Sequence, residues 1–465
     1  MRKLTDLSFT LFLLCISFYS PAQNPTLEID QVLIDGTRMS QPWGMCFITS
    51  DELLFTEKEG RLYRYVISTN TKTQITGVPT VAVQGQGGLL DVALHPDFST
   101  NNYVYLSYSV TDGQQRYTLA IGRGVLNGNQ LTDFTQLFTA LPYKVGGNHF
   151  GSRIAFDNEN HLIFSSSDRQ DQDNAQLLSN HIGKVIRLND DGTVPENNPF
   201  IGVNGVAPAI YSYGHRNIQG LAVDPRSGKI FAHEHGPMGG DELNLIEAGN
   251  NYGWPSITFG LNYNGTIIST DTARDGMEQP VRYWVPSIAP SGLAIVPVEG
   301  EEENEINFIL GALAGKQIQW VKIKDGKHVA TYSFLHNHAR FRDVEVAPDG
   351  QLYALTESPN SLIRLRTNQV ITGGVADFGP AAKNMFVYPN PAGDYIQVDI
   401  QDFAGHTMEI NIFSSQGVLM TTSPEAGSAS GSGILKIDTR HLEAGMYLLE
   451  LRSENKVVPL RFTKL

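Results

Sequence analysis

The sequence is poor in cysteine and in basic residues. Two cysteines occur among 465 residues, Cys15 and Cys46, and Cys15 lies inside an apolar N-terminal run. Because the remaining cysteine cannot form an internal disulfide, the fold has to be stabilised by its hydrophobic core. The 34 Lys and Arg residues face 48 Asp and Glu residues, a formal charge of -14. A net acidic chain lacks the electrostatic footprint of a nucleic-acid-binding protein.

Glycine and proline occur without the patterns that mark a non-globular chain. The 45 Gly and 23 Pro residues are spread along the sequence without a period, which excludes collagen-like and low-complexity chains. With 41% hydrophobic residues, the chain is too apolar to be disordered. It is also too long for one ordinary domain.

Residues 1–23 have the layout of a secretory signal peptide. Arg2 and Lys3 precede an apolar run from Leu7 to Tyr19, and Ser-Pro-Ala-Gln follows. The alternative is an anchor helix, but the run is shorter than the ~20 residues that span a bilayer. We therefore expect an exported mature protein without a transmembrane segment.

One pattern of two apolar strands joined by a turn recurs six times. The alternation of apolar and polar residues around turns such as Pro-Asp-Gly is typical of antiparallel hairpins. Successive copies lie 47 to 72 residues apart, and repeats of roughly 40 to 50 residues predict the four-stranded blades of a β-propeller. The copies begin at Gly44, Asp91, Arg153, Gly220, Gly292 and Asp343.

The last copy lacks one strand. It offers strands over 343–347, 351–356 and 361–366, whereas the segment 27–34 precedes the first copy and is unassigned. Pairing this segment into the last blade would close the ring and bury both edges. The sequence thus predicts an all-β chain with a six-bladed β-propeller over 24–367, and a large irregular sandwich is the alternative.

The sequence pattern changes after the sixth repeat. Residues 368–383 show little regular pattern and indicate a linker, whereas alternating strands over 384–465 predict a small accessory β-sandwich. The motifs YPNP from Tyr388, IFSSQG from Ile412 and LEAGMY from Leu442 resemble the C-terminal sorting domain of proteins exported by the type IX system of Bacteroidetes-type bacteria. The resemblance implies the type IX secretion machinery as a partner, and a secreted or surface-attached protein.

Two glycine-rich segments, 84–88 and 146–151, each flank a polar side chain. Glycine lets a backbone approach a ligand closely, although each segment alone is more often only a turn. Within the second segment, His149 is a candidate general base, because imidazole titrates near neutral pH.

Two further clusters carry polar residues. The pair His233 and His235 invites a zinc site, but no third soft ligand is nearby, and Glu242 with carbonyl groups near Gly236 suits calcium better. Arg340 and Arg342 lie two residues apart on an extended segment and can hold a carboxylate-rich ligand. The alternative is a pair of arginines bound to neighbouring acids.

From about Gln41 to Arg366 the chain resembles the soluble sugar dehydrogenases that use pyrroloquinoline quinone. This is the glucose/sorbosone dehydrogenase superfamily, and the resemblance is to its aldose sugar dehydrogenase branch. The ordered motifs are GQGGLLDVALHPDF, NHFGSRIAFD, SYGHRNIQGLAVDP, EHGPMGGDELNLIEAGNNYGWP, EQPVRYW, PSGLAI and RFRDVEVAPDGQLYALTE.

The resemblance implies oxidation of an aldose sugar to its lactone. His149 would take the proton of the anomeric hydroxyl, Arg216 would be the second catalytic residue, and hydride would pass to the quinone and then to an external electron acceptor. Because the cofactor is a tricarboxylate, it needs compensating cations. The implied cofactor-binding residues are Gln86, Arg216, Asn217, Tyr263, Ala312, Leu313, Ala314, Arg340 and Arg342.

The resemblance also implies two calcium ions. Carbonyl groups of Gly236 and Pro237 would hold a calcium that ligates the quinone and acts as a Lewis acid. Glu242 and the main chain of Tyr252 match a second site with a structural role.

Two departures from the family pattern bear on the site. Asn148 stands where some members have Asp, so we expect the charge that orients His149 to be absent. Ala314 stands where several members have a cofactor-contacting Lys, and Lys316 is out of register. The competing functions are a calcium-dependent lactonase and a non-catalytic surface propeller for carbohydrate binding or adhesion.

Overall fold

The computed structural model describes residues 24–372, 387–388, 392–399, 408–414, 419–425, 434–453 and 456–464. The chain is all-β, and the described residues hold one single-turn α-helix, Phe98–Asn101, and one 3-10 helix, Gln172–Gln176. The signal peptide predicted over 1–23 lies outside the described residues.

Within residues 24–372, the strands form six antiparallel sheets. In the first and third sheets, neighbouring strands follow one another along the chain, whereas in the second sheet β8 pairs with both β9 and β10. These sheets comprise β2 (Pro42–Thr49), β3 (Glu52–Glu57), β4 (Arg61–Val66) and β5 (Thr71–Ile75); then β6 (Leu89–Leu94), β7 (Tyr103–Thr111), β8 (Arg116–Asn127), β9 (Gln130–Thr139) and β10 (Lys144–Val145); then β11 (Gly151–Phe156), β12 (Leu162–Ser166), β13 (Lys184–Leu188) and β14 (Ile210–Tyr213).

In the last three of these sheets, neighbouring strands also follow one another along the chain, and the final sheet takes its fourth strand from the start of the chain. They comprise β15 (Ile218–Val223), β16 (Ile230–Glu234), β17 (Asp241–Ile246) and β18 (Arg282–Trp284); then β19 (Pro290–Ile295), β20 (Glu305–Ala312), β21 (Gln317–Lys324) and β22 (Lys327–Phe334); then β23 (Arg340–Val346), β24 (Leu352–Glu357), β25 (Ser361–Thr367) and β1 (Leu27–Ile34).

The predicted pairing of 27–34 with the last copy is confirmed. Strand β1 runs antiparallel to β25, with Leu27 opposite Thr367 and Ile34 opposite Leu362. The first strands β2, β6, β11, β15, β19 and β23 contact one another in a closed cycle that returns from β23 to β2. This arrangement is consistent with a β-propeller.

Hydrophobic layers lie between neighbouring sheets. In one of them, Ile309 and Trp320 of the fifth sheet pack with Phe341 and Ile363 of the sixth. Because this sheet is covered on both faces, all eight residues of β20 are buried, including the polar Glu305 and Asn307.

The first residues of the six repeats meet around the central axis. Arg153 donates to Asp343 Oδ1 at 2.8 Å and to Asp91 Oδ1 at 3.2 Å. A Cβ on Gly44 would lie 2.3 Å from Asp91 Oδ1, and one on Gly292 would lie 2.7 Å from the Asp343 Cα. The axis has room for three charged side chains because the other repeats begin with glycine.

Backbone hydrogen bonds hold the start of the predicted linker. Glu299 N donates to Val370 O and Thr372 N donates to Pro297 O, at 2.8 and 2.9 Å. Residues 370–372 therefore lie against residues 297–299. The other predicted domain boundaries stay predictions.

The described C-terminal residues form two further antiparallel sheets, in the orders β26-β27-β30 and β29-β28-β31-β32. Side chains from both sheets, among them Val398 and Leu449, share one hydrophobic cluster. The strands are β26 (Val387–Tyr388), β27 (Tyr395–Asp399), β28 (Met408–Ser414), β29 (Leu419–Glu425), β30 (Ile434–Asp438), β31 (Gly445–Ser453) and β32 (Lys456–Lys464).

Candidate active site

The two glycine-rich segments pack against each other. A Cβ on Gly85 would lie 2.6 Å from Gly147 O, and a Cβ on Gly147 would lie 2.5 Å from Gln84 O. Gln86 N donates to Gly147 O at 2.6 Å. We expected these glycines to admit a ligand, but the structure shows that they let two loops approach each other.

His149 sits on this junction. Its backbone N donates to Gln86 Oε1 at 2.8 Å, and its Nδ1 lies 2.7 Å from Asp168 Oδ1. An ionised carboxylate only accepts hydrogen bonds, so Nδ1 carries the proton and Nε2 keeps its lone pair. In the neutral form of the imidazole, this arrangement makes Nε2 the basic nitrogen, which is what a general base needs.

The expectation that His149 lacks an orienting charge is wrong. Asn148 bonds to Gln170, and the orienting carboxylate comes instead from Asp168, which follows strand β12. The second oxygen of Asp168 accepts from Trp254 Nε1 at 2.9 Å. Sequence reasoning missed Asp168. The sequence feature that could have indicated it is an acidic residue just after an apolar strand.

Arg169 holds the loop that carries His149. Its guanidinium donates to the carbonyl groups of Asn148, Gly146 and Tyr117 at 2.6 to 2.9 Å, and it lies over the Phe150 ring at 3.8 Å. Burial lowers the pKa of Arg169 to about 10. The guanidinium therefore remains charged at neutral pH, where it fixes the loop.

A cavity of about 660 Å³ opens beside His149. The next two residues, Phe150 and Gly151, line it, as do five of the implied cofactor-binding residues. Those five come from four different sheets or their connections: Gln86, Asn217, Leu313, Arg340 and Arg342.

The arginine pair has features of both interpretations, a ligand-binding pair and a pair bound to a neighbouring acid. Arg340 and Arg342 both line the cavity, and both bind Glu357, with Nε to carboxylate distances of 3.2 and 2.7 Å. Burial alone would raise the pKa of Glu357, but Arg342 and Arg340 outweigh it and lower that pKa. Sequence reasoning missed Glu357, although it pairs directly with Arg340 across β23 and β24.

Arg216 lies against a second, much smaller cavity. Its Nη1 donates to the carbonyl groups of His235 and Gly236, both at 2.9 Å, and its guanidinium lies 5.3 Å from the Trp254 ring. His235 lines both cavities. The structure thus places Arg216 beside the large cavity rather than among its lining residues.

The small cavity has a volume of about 10 Å³. Its lining includes the carboxylate residues Glu234 and Glu242, together with Gly236 and Tyr252. Burial, and secondarily Glu234, raises the pKa of Glu242 to about 8. Asn244 Oδ1 is buried and has no hydrogen-bond partner among the described residues. Two crowded carboxylates beside an unpaired amide oxygen suit a hard cation such as calcium.

The remaining implied residues lie elsewhere. Tyr263 is 75% exposed and Ala312 is fully buried, and neither lines a cavity near His149. Ala314 is exposed, and Pro237 is absent from the lining of both cavities.

The zinc alternative finds no support in the described residues. His233 and His235 bind the carbonyl groups of Gly292 and Pro290 at 3.1 and 2.8 Å. Across the described ranges, no group of three His, Cys, Asp or Glu side chains could hold a metal ion. A cation at Glu242 would therefore depend partly on neutral oxygens.

Comparison with known proteins identifies the family. Residues 39–364 match the family described as Glucose / Sorbosone dehydrogenase. The chain belongs to this family. It is 36% identical over 364 residues to the aldose sugar dehydrogenase YliI of Escherichia coli strain K12, covering 77% of this chain and 97% of that protein.

Solved structures of the family show the same fold. The apo-form of the soluble aldose sugar dehydrogenase from Escherichia coli superposes with a TM-score of 0.68 at 36% identity, covering 74% of this chain and 99% of that one. The PQQ-bound aldose sugar dehydrogenase from Streptomyces coelicolor gives a TM-score of 0.62 at 29% identity, over 74% of this chain and 98% of that one.

The C-terminal region matches a second description. Residues 386–463 match the secretion system C-terminal sorting domain, which points to type IX secretion and to export or surface attachment. Among the described residues, no helix is long and apolar enough to cross a membrane.

Proposed function

We propose that the chain oxidises an aldose sugar at its anomeric carbon to the lactone, with pyrroloquinoline quinone as cofactor. The observation that carries this proposal is the 2.7 Å contact between His149 Nδ1 and Asp168 Oδ1, beside a cavity lined by cations. The family and its PQQ-bound member support the choice of cofactor.

The large cavity suits a tricarboxylate. Its volume of about 660 Å³ lies within the range of roughly 300 to 1,000 Å³ usual for ligand sites. Three cationic side chains line it, those of Lys58, Arg340 and Arg342, against one carboxylate, that of Glu357. The excess of positive charge compensates an anionic ligand.

His149 acts as the general base in this proposal. Nε2 takes the proton of the anomeric hydroxyl, and the positive charge formed on the imidazole is stabilised by Asp168. The quinone, when bound, supplies the hydride acceptor. Arg216, which lies beside the cavity, stays the second proposed catalytic residue.

The proposal includes two calcium ions. Gly236 O already accepts a bond from Arg216, but a carbonyl oxygen has a second lone pair that can ligate a cation. Pro237 O would complete that pair, and Glu242 with the Tyr252 main chain would hold the structural ion. Calcium at the first site would supply Lewis-acid polarisation.

The proposal also covers the domain architecture of the chain. We assign the six sheets within 24–372 as six propeller blades and the two C-terminal sheets as a small β-sandwich. We further assign 1–23 as a signal peptide, so that the protein would be exported and then secreted or attached to the cell surface.

The test is to add pyrroloquinoline quinone and calcium to the purified chain and to follow the quinone absorbance while aldoses are added. We expect saturable cofactor binding and sugar-driven bleaching that disappears in His149→Ala. Absence of binding at micromolar cofactor, even with calcium, would contradict the proposal and favour the non-catalytic binding propeller.

A further inference from the structure

Lys58 is a cation of the large cavity that no motif indicated. It follows β3 in the turn Glu57–Gly60, where the sequence reads as an ordinary hairpin. Its side chain is partly buried and lines the cavity together with Gln86, Arg340 and Arg342. The backbone of Lys58 contacts the neighbouring sheet, because Leu89 N donates to Lys58 O at 2.9 Å.

The ammonium group has unused donors. Lys58 Nζ donates to Gly85 O at 2.8 Å, which uses one of its three N–H groups. Among the described residues it makes no ion pair, whereas Arg340 and Arg342 both share the carboxylate of Glu357. The positive charge of Lys58 is therefore left without a carboxylate partner in the described part of the chain, so an anionic ligand in this cavity would pair with it.

The position of Lys58 also fits a ligand held next to the base. Gly85, which accepts the bond from Lys58, directly precedes Gln86, and Gln86 Oε1 accepts from the backbone N of His149 at 2.8 Å. The ammonium thus lies on the side of the cavity that carries His149. Lys316, by contrast, is exposed and does not line the cavity.

We infer that Lys58 binds a carboxylate of the quinone cofactor and supplies the cation that Ala314 cannot. This inference rests on the proposed function. A lysine serves this role as a point charge on a flexible stem, and Lys58 belongs to a different sheet from Ala314.

The test compares cofactor affinity among variants of the full chain. Titration with pyrroloquinoline quinone, followed by absorbance at low and high salt, gives the Kd for Lys58→Met, Lys58→Arg and the matched control Lys316→Met. We expect Lys58→Met to weaken binding roughly 10- to 100-fold and to lose part of the salt dependence. Lys58→Arg and Lys316→Met should stay near the parent.

Two outcomes separate this inference from the proposed function. If the parent chain binds the quinone and Lys58→Met binds equally well, Lys58 does not hold a carboxylate, and the proposed function stands. If the parent chain does not bind the quinone, the proposed function fails and the inference fails with it. Thermal melting checks that each variant is folded, and Lys58→Gln replaces Lys58→Met if the latter unfolds.

Discussion

Asp168 accepts hydrogen bonds at both of its carboxylate oxygens. Oδ1 accepts from His149 Nδ1 and from Gln170 N, and Oδ2 accepts from Trp254 Nε1. An asparagine of the same shape has one acceptor oxygen, so it cannot satisfy His149 and Trp254 together. At the residue scale, the tautomer and orientation of His149, the proposed base, therefore depend on a full carboxylate.

We predict that Asp168→Asn lowers kcat by roughly 100-fold, the usual contribution of general-base catalysis. KM for the sugar and Kd for the quinone should change little, because Asp168 contacts neither cavity. Steady-state kinetics with cofactor titration measures the three constants.

The matched control is Asp157→Asn. Asp157 forms a similar carboxylate–imidazole pair with His161, Oδ2 to Nδ1 at 2.9 Å, away from the large cavity. Its kcat should stay near that of the parent. Equal losses in the two variants would mean that Asp168 acts through general stability.

At the scale of elements, β1 determines whether the ring of sheets is closed. It covers the edge of β25, which would otherwise expose a row of unpaired backbone groups. The side chain of Ile34 is fully buried, whereas Val32 on the same strand is 53% exposed. The contribution of β1 to stability should therefore come from its inward-facing residues.

We predict that Ile34→Ala lowers the free energy of unfolding by about 2 to 5 kcal/mol, as expected for truncation of a fully buried side chain. Val32→Ala, on the same strand, should change it by less than about 0.5 kcal/mol. Denaturant unfolding of both variants measures the difference. Similar values for the two would mean that β1 does not pack as the structure shows.

At the scale of the whole molecule, acidic groups from two sheets, the second and the sixth, converge on another cavity. This cavity of about 510 Å³ is lined by Asp91, Asp343, Glu345, Arg153 and Cys46, together with apolar side chains. Burial raises the pKa of Asp343 to about 7, even though Arg153 opposes this. Burial, with Asp343 and Asp91 adding repulsion, also raises the pKa of Glu345.

These raised pKa values predict the sign of a pH effect. The folded chain keeps protons that the unfolded chain releases, so stability falls as pH rises from about 4 through about 7. Glu345 makes no ion pair among the described residues, and Glu345→Gln removes its charge without changing its shape.

We predict that Glu345→Gln raises Tm at pH 8 by roughly 1 to 3 °C and leaves Tm at pH 4 unchanged. Thermal melts across this range measure both values. Glu302→Gln, which removes an exposed carboxylate paired with Lys324, is the comparison and should show no such rise. A parallel curve for Glu345→Gln and the parent would contradict the buried acidic cluster.

The sequence by itself determined the strands and much of the large cavity. Alternation and repetition are local patterns, so they predicted hairpins such as β23 with β24, and even the pairing of β1 with β25. The family resemblance of the ordered motifs implied Gln86, Asn217 and Arg342 as cofactor-binding residues, and all three line the large cavity.

The tertiary structure alone decided which charges meet. Asp168 approaches His149, Glu357 comes between Arg340 and Arg342, and Lys58 reaches Gly85. The register of the predicted hairpin of β23 with β24 already sets Glu357 opposite Arg340, but no local pattern specifies the contact of Asp168 with His149 or of Lys58 with Gly85. Contacts between loops and strand ends depend on how the sheets pack around the axis. Sequence periodicity predicts only the face of a strand on which each side chain lies.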